Sequence, residues 1–434
     1  MNFQKRMRGV RLAHRKSTER QSALRMPPPS LVTLPMSMHI GAPAKPIVKV
    51  GDPVFVGQKI AEASGFVSAS VFASVSGKVK KLDTMTDSLG RTIETVVLES
   101  DGLMTPLEGL SPREVNTPSE LSDAARDAGL VGLGGAGFPT AVKLAAQPER
   151  VSHVVINGAE CEPYITSDTR TMVEGADLLA EGAELLSRIY GADVIFGVEK
   201  NKPEAISALR KAISGNPRAS VKVLPSIYPQ GGEKVLVYNC IGRIIGEGKL
   251  PLDVGAIVVN CTTLYKLMEF IKTGMPLVEK TVTVDGSAIR EPKNLTCPIG
   301  TPIGELIEFC GGFSREPRKI LYGGPMMGVT VPDLSYPILK NTNAIVALAE
   351  DAILPEPSEC IRCGKCADAC PLSLTPFAIA SAVKHKDAEA LSELSVGLCM
   401  ECGCCSYTCP ARRPLVSSNR LGKSILKNTA KGGK

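Results

Sequence analysis

Eight cysteines in two matching runs constrain this chain more than any other feature. Cys360, Cys363, Cys366 and Cys370, followed by Pro371, are spaced C-x2-C-x2-C-x3-C-P, and Cys399, Cys402, Cys405 and Cys409, followed by Pro410, repeat that spacing. This is the thiolate rhythm of paired 4Fe-4S clusters: three closely set cysteines wrap one cube, and the fourth, placed after a turn, reaches the other. The expected ligand sets are Cys360, Cys363, Cys366 and Cys409 for cluster 1, and Cys370, Cys399, Cys402 and Cys405 for cluster 2. Gly364 and Gly403 let the backbone bend around the inorganic core. Structural zinc usually sits between two C-x2-C hooks, a different pattern. Cys404 falls outside the repeat, and Cys161, Cys240, Cys261, Cys297 and Cys310 are scattered, as expected of small buried hydrophobes. A chain with two such clusters moves electrons one at a time.

At 434 residues, 44% hydrophobic and 22% charged, the chain is globular in composition and too long for one core, so three or four domains are expected. Aromatic residues are 4% and Trp is absent, which argues against stacking on single-stranded nucleic acid. No apolar run approaches the roughly 18 residues needed to span a membrane. The basic N-terminus lacks the apolar stretch of a signal peptide, so the protein is expected to stay in the cytoplasm. The formal net charge of +6 is unevenly spread. Residues 1–25 hold eight Lys/Arg against Glu19, and residues 411–434 hold seven with no acid, leaving −8 for residues 26–410. The ends read either as solvated tails or as arms drawn to an anionic leaflet or an acidic partner. The acidic body would repel nucleic-acid phosphates.

Along the chain the pattern changes several times, which predicts a multidomain α/β protein. Residues 1–29 form a basic arm. Within residues 30–105, Pro46–Val50, Val54–Gly57, Ser68–Val75 and Lys78–Lys80 read as short strands between turns. This resembles the barrel of biotinyl or lipoyl carrier domains, but no Lys lies between Lys59 and Lys78, so the tip near Phe66 to Ser70 lacks an attachment site and the module should be structural or for docking. A linker with Pro106, Pro112 and Pro118 follows. From 119 to 270 strands at Val151–Ile156, Asp193–Val198, Val221–Leu224 and Ala256–Val259 alternate with helices at 171–190 and 203–214. That alternation predicts a Rossmann-like parallel sheet with helices on both faces. Residues 271–350 contain an alternating strand, Thr281–Val284, a hairpin signal at Asp285-Gly286, and a helix from Ile303 to Cys310 stopped by Gly311-Gly312. This resembles a β-grasp module of the soluble-ligand-binding type. A helical two-cluster domain, residues 355–415, and a basic tail, residues 416–434, complete the expected order.

Gly132-Leu133-Gly134-Gly135-Ala136-Gly137-Phe138-Pro139-Thr140 contains G-x-G-x-x-G, which alone is weak. A helical stretch precedes it, whereas the dinucleotide fingerprint follows a strand. Its glycines still let amide groups approach a phosphate or flavin closely. Four segments in order then resemble the NADH-binding subunit of respiratory complex I: Gly134 to Thr140 with Lys143, Asn157 to Pro163, Tyr228 to Glu233, and Val258-Val259-Asn260. With His39 to Ala44 and Gly323 to Gly328 added, the chain resembles the C subunits of Rnf electron-transport complexes from about residue 30 to 420. Against the complex I pattern, an acidic-loop aspartate is Ala159 here, a glycine is Cys161 and a glutamate is Gly232, and no aromatic counterpart for adenine is evident.

The resemblance implies a non-covalent FMN cradled by Gly134, Gly135, Ala136, Gly137, Phe138 and Lys143, with Asn157 and Asn260 at its edge. It further implies NADH oriented by Glu160, Glu162 and Glu233. A flavin suits the junction between a two-electron nicotinamide and one-electron clusters. The implied setting is the cytoplasmic face of a membrane, with partner subunits that couple electron exchange between NAD(H) and ferredoxin to Na+ or H+ movement. This chain itself has no span with which to pump. Two other readings share these features: a soluble flavin and iron–sulfur cobalamin reductase, in which the barrel module comes late, and a cluster-carrying scaffold without its own NADH site.

Overall fold

The computed structural model describes residues 8–87, 90–350 and 355–432; residues 1–7 of the basic arm and 433–434 of the tail lie outside them. At the centre is a four-stranded parallel sheet in the order Ala219–Leu224, Asp193–Glu199, His153–Gly158, Ala256–Asn260. Val154, Val155 and Ile156 are all buried, the continuous apolar run expected of a strand covered on both faces. Val154 and Ile156 face the helices Ala176–Tyr190 and Cys261–Thr273, while Val155 packs with Leu236 and Val237 of the helix Glu233–Ile241 on the other side. The single helix expected over 171–190 is two helices, Ser167–Glu174 and Ala176–Tyr190. They part at Gly175, where a Cβ would stand 2.4 Å from the Tyr265 ring.

Ahead of this domain two small antiparallel sheets form a barrel-like module, one ordered Leu31–Pro35, Thr92–Ser100, Gly77–Thr86, Pro53–Val54 and the other Lys45–Pro46, Lys59–Glu62, Val71–Phe72. The runs expected as strands at 46–50 and 68–75 are shorter than predicted. Their remaining residues pack sideways: Ala69, Val71, Ala73 and Val75 share one hydrophobic core with Leu121, Leu130 and the central sheet. Side-chain burial against the next domain replaces ladder pairing there.

A six-stranded mixed sheet follows, ordered Leu24–Arg25, Lys293–Pro298, Glu279–Asp285, Ala344–Leu348, Lys319–Tyr322, Val329–Thr330, with the helix Ile303–Phe309 packed on it. Asp285-Gly286 does not make a tight two-residue hairpin; the partner strand starts at Lys293. Gly286 lies against the Ala347 carbonyl, and a Cβ there would meet that oxygen at 2.1 Å.

Neither end is a solvated tail over its described residues. Val10 and Tyr228 exchange two backbone hydrogen bonds of 2.9 Å, and Leu24–Arg25 joins the mixed sheet parallel to Leu295 and Thr296. Between them Lys16 inserts its ammonium among the carbonyls of Glu160 (2.9 Å), Glu162 (2.8 Å) and Ile165. A buried cation needs such acceptors, and these three lie in the α/β domain, so the arm is fixed across it. At the other end Leu415–Gly432 is a helix whose Arg420 and Lys423 pair with Glu401 at 2.8 and 2.7 Å. It packs on Pro376–His385 within the cysteine-rich domain.

Candidate flavin and iron–sulfur site

The register of the parallel sheet aligns Asn157 with Asn260 at the carboxyl ends of neighbouring strands, the edge at which open α/β sheets bind ligands. Both face a cleft lined by Gly134, Gly135, Ala136, Gly137, Phe138, Lys143 and Glu233 as well, so four distant sequence segments meet there. Asn260 caps the helix Cys261–Thr273 by accepting from the Thr263 amide at 3.1 Å, and its amide nitrogen donates to Asp168 at 2.7 Å. A Cβ on Gly134 would fall 2.3 Å from that nitrogen, so only glycine lets the loop lie so close. Asn157 donates to the Gly231 carbonyl at 3.0 Å and braces the third segment. Lys143 donates to Glu233 at 2.9 Å and to the Val258 carbonyl at 3.2 Å.

Flavin fits this donor set. Gly135 has no heavy atom within 4 Å of a would-be Cβ, so the loop presents bare backbone to open space. The Thr140 hydroxyl, also on the cleft wall, is buried without a protein partner, and a buried hydroxyl left unpaired calls for a ligand or water.

Two predicted acids lie elsewhere. Glu160 is buried, and its carboxylate accepts from the Asp168 amide (2.7 Å), the Thr169 amide (3.4 Å) and the Thr169 hydroxyl (2.7 Å). Burial raises its pKa, with Lys16 opposing that shift. Glu162 accepts from the amides of Met326 (3.0 Å) and Met327 (2.8 Å), which belong to the loop Gly323 to Gly328. Desolvation pushes its pKa up to about 7 against those hydrogen bonds. Both carboxylates brace backbone rather than facing the cleft, and of the three predicted acids Glu233 alone lines it.

The cysteines separate into two cavities. Cys360, Cys363, Cys366 and Cys409 line one; Cys370, Cys399, Cys402 and Cys405 line the other, with Cys404. Among the described residues no group of three or more His, Cys, Asp or Glu is placed to hold a metal ion. Arg362 and Glu401, two residues after the first cysteine of each run, share a left-handed backbone, as do Ser373 and Arg412, three residues after the fourth. The duplication in sequence is thus a duplication in geometry.

Contacts that spacing could not reveal join the second cavity to the cleft. The Tyr228 hydroxyl donates to the Cys402 carbonyl at 2.6 Å. Met400 occupies the place of a side chain on Gly232, where a Cβ would stand 1.8 Å from its methyl. Gly232 adjoins Gly231 and Glu233 of the cleft wall, so the departure from the complex I pattern at this position makes room for the second cysteine loop. Thr140, Tyr228 and Gly232 stood within recognised segments; Asp168 and Met400 carried no sequence signal for their roles.

Comparison with known families agrees with this division. Residues 125–269 match the Nuo51 FMN-binding domain and residues 356–413 the 4Fe-4S dicluster domain. Residues 4–103 match the RnfC barrel sandwich hybrid domain and residues 281–330 the SLBB domain. An FMN-binding domain joined to a dicluster module defines a flavin and iron–sulfur electron-transport protein. The C subunit of the Na(+)-translocating ferredoxin:NAD(+) oxidoreductase complex of Acetobacterium woodii is 43% identical over 93% of this chain and 93% of its own length. Its proton-translocating counterpart in Clostridium ljungdahlii is 42% identical over 81% of this chain and 78% of its own. The C subunit of the ion-translocating oxidoreductase complex of Rhodobacter capsulatus is 40% identical over 92% and 79%. The chain belongs to this family of C subunits of ion-translocating ferredoxin:NAD+ oxidoreductase complexes.

Proposed function

We propose that this chain is the peripheral subunit, on the cytoplasmic face of its membrane complex, at which NAD(H) exchanges electrons with FMN and two 4Fe-4S clusters. Ferredoxin is the other redox partner, reached through neighbouring subunits that move the ion. The observation that carries this reading is the meeting of the glycine loop, Lys143, Asn157, Glu233 and Asn260 in one cleft, on whose wall the cluster 2 loop rests through Met400. When bound there, FMN supplies the conversion between hydride and single-electron chemistry. The chain's residues then have positional roles. Gly134 to Phe138 present backbone to the flavin, Asn157 and Asn260 fix its edge, and Thr140 offers it a hydroxyl. Lys143 sets positive charge in the cleft, and its partner Glu233 is the carboxylate available to a nicotinamide ribose or carboxamide. Glu160 and Glu162 hold the walls. Cys360, Cys363, Cys366 and Cys409 hold cluster 1, and Cys370, Cys399, Cys402 and Cys405 hold cluster 2.

Gly134→Ala tests the cleft. The added methyl collides with Asn260, so purified variant should lose most of its flavin absorbance and its NADH-driven reduction of ferricyanide, while cluster absorption persists. Flavin content and ferricyanide rate equal to wild type would place the flavin elsewhere.

A further inference from the structure

The duplicated cysteine loops are equivalent in backbone but not in surroundings. In the second copy Met400 packs on Gly232, and a Cβ on Gly403 would stand 2.8 Å from the Met326 carbonyl. Cys404 lies buried under the Tyr228 carbonyl, with its sulfur 3.8 Å from that oxygen. Glu401 is neutralised by Arg420 and Lys423. Every feature of that loop is therefore answered by another part of this chain.

In the first copy the same positions are unanswered among the described residues. Ile361, the counterpart of Met400, is 68% exposed. Gly364, the counterpart of Gly403, has nothing within 4 Å of a would-be Cβ. Lys365, in the place of Cys404, is exposed. Arg362 stands where Glu401 stands in the other copy, with its charge reversed and no ion pair among the described residues. Arg8, whose guanidinium donates to the Ala367 carbonyl at 3.4 Å, adds a further cation beside this loop.

We propose that Ile361, Arg362 and Lys365 form the docking face for a second protein subunit, one that presents carboxylates around an apolar seat, and that electrons pass between the subunits there. The second copy supplies the template: an apolar side chain received by a neighbouring wall, a glycine roofed by backbone, and a charge met by its opposite. Exposed like charges beside an apolar centre are what a complementary acidic surface recognises. The proposal rests on the reading of this chain as an electron-transferring subunit. Oxidation of NADH to NAD+ releases one proton and two electrons, so the partner takes one electron in each of two handovers.

The test uses the full-length, cluster-loaded chain and membranes that hold the rest of the complex without it. Arg362→Glu and Lys365→Glu, neither a cluster ligand, should each weaken membrane binding by about tenfold at low salt. Both cluster EPR signals and NADH-driven ferricyanide reduction should stay at wild-type levels. Should Arg362→Glu lose cluster 1, Lys365→Glu and Ile361→Ala carry the comparison. A zero-length carbodiimide cross-link from Lys365 to a membrane subunit is expected in wild type and absent in Lys365→Ala. Wild-type binding by these variants together with no Lys365 cross-link would overturn the proposal. Binding is read without NADH, so failure of the NADH reaction in wild type would count against the proposed function and leave the docking result independent.

Discussion

Glu162 shows how a residue can belong to a recognised segment and yet do different work. Its two oxygens accept from consecutive amides of Met326 and Met327, and the same loop roofs Gly403 beside the second cysteine cavity. Glu162→Gln turns one acceptor into a donor facing an amide donor, so the loop should loosen. The expected outcome is ferricyanide reduction by NADH close to wild type, with slower reduction of the clusters in stopped-flow absorption. Loss of ferricyanide reduction with flavin retained would return Glu162 to the nicotinamide. The pH dependence has a definite sign. The carboxyl has its pKa raised from 4.5 to about 7 in the fold, so the unfolded chain gives up this proton first. The stability tied to it is full below about 4.5 and is lost as pH rises through about 7. Chemical denaturation across that window should show the loss in wild type and a shallower slope in Glu162→Gln. Spacing shows none of this, because Met326 is 164 residues away and burial is a property of the fold.

At the scale of elements, the cysteine runs were the most legible part of the chain. Three cysteines within seven residues can close around only one cube, and the proline after the fourth turns the chain away. The two cavities divide the thiols into the crossed sets expected from that rule. Cys370→Ser should therefore perturb the same EPR signal as Cys402→Ser and spare the signal lost in Cys363→Ser. If Cys370→Ser and Cys363→Ser damage one signal, each run binds its own cube. The strands of the central sheet were legible for a similar reason, since runs such as Val154-Val155-Ile156 have few other uses. The break at Gly175 was not, because Tyr265, whose ring crosses there, lies on a later helix. The short strands of the first module were over-read: their apolar residues satisfy a neighbouring domain's core, and alternation cannot distinguish that from a ladder.

For the whole molecule, charge was the least reliable guide. The basic ends read as tails or as arms drawn to an anionic leaflet or an acidic partner, yet the Lys16 ammonium is set among carbonyls and the final helix is folded into the dicluster domain. An arm that touches Ala367, Tyr228, Glu160 and Leu295 joins the cluster, flavin and mixed-sheet domains. Among the described residues no helix is long and apolar enough to cross a membrane, and in the function proposed above partner subunits hold the chain at its membrane. Washing membranes with high salt or chelator should release the chain, whereas retention through every wash short of detergent would contradict a peripheral position. The central claim is a continuous route from the cleft through the Gly232–Met400 contact to the clusters. Its most direct test is to titrate the anaerobic, reconstituted protein with NADH while recording flavin and cluster absorption together. Both should bleach in the one titration, with the clusters following the flavin. A flavin that reduces fully while the clusters stay oxidised, or clusters that reduce in protein stripped of flavin, would contradict it.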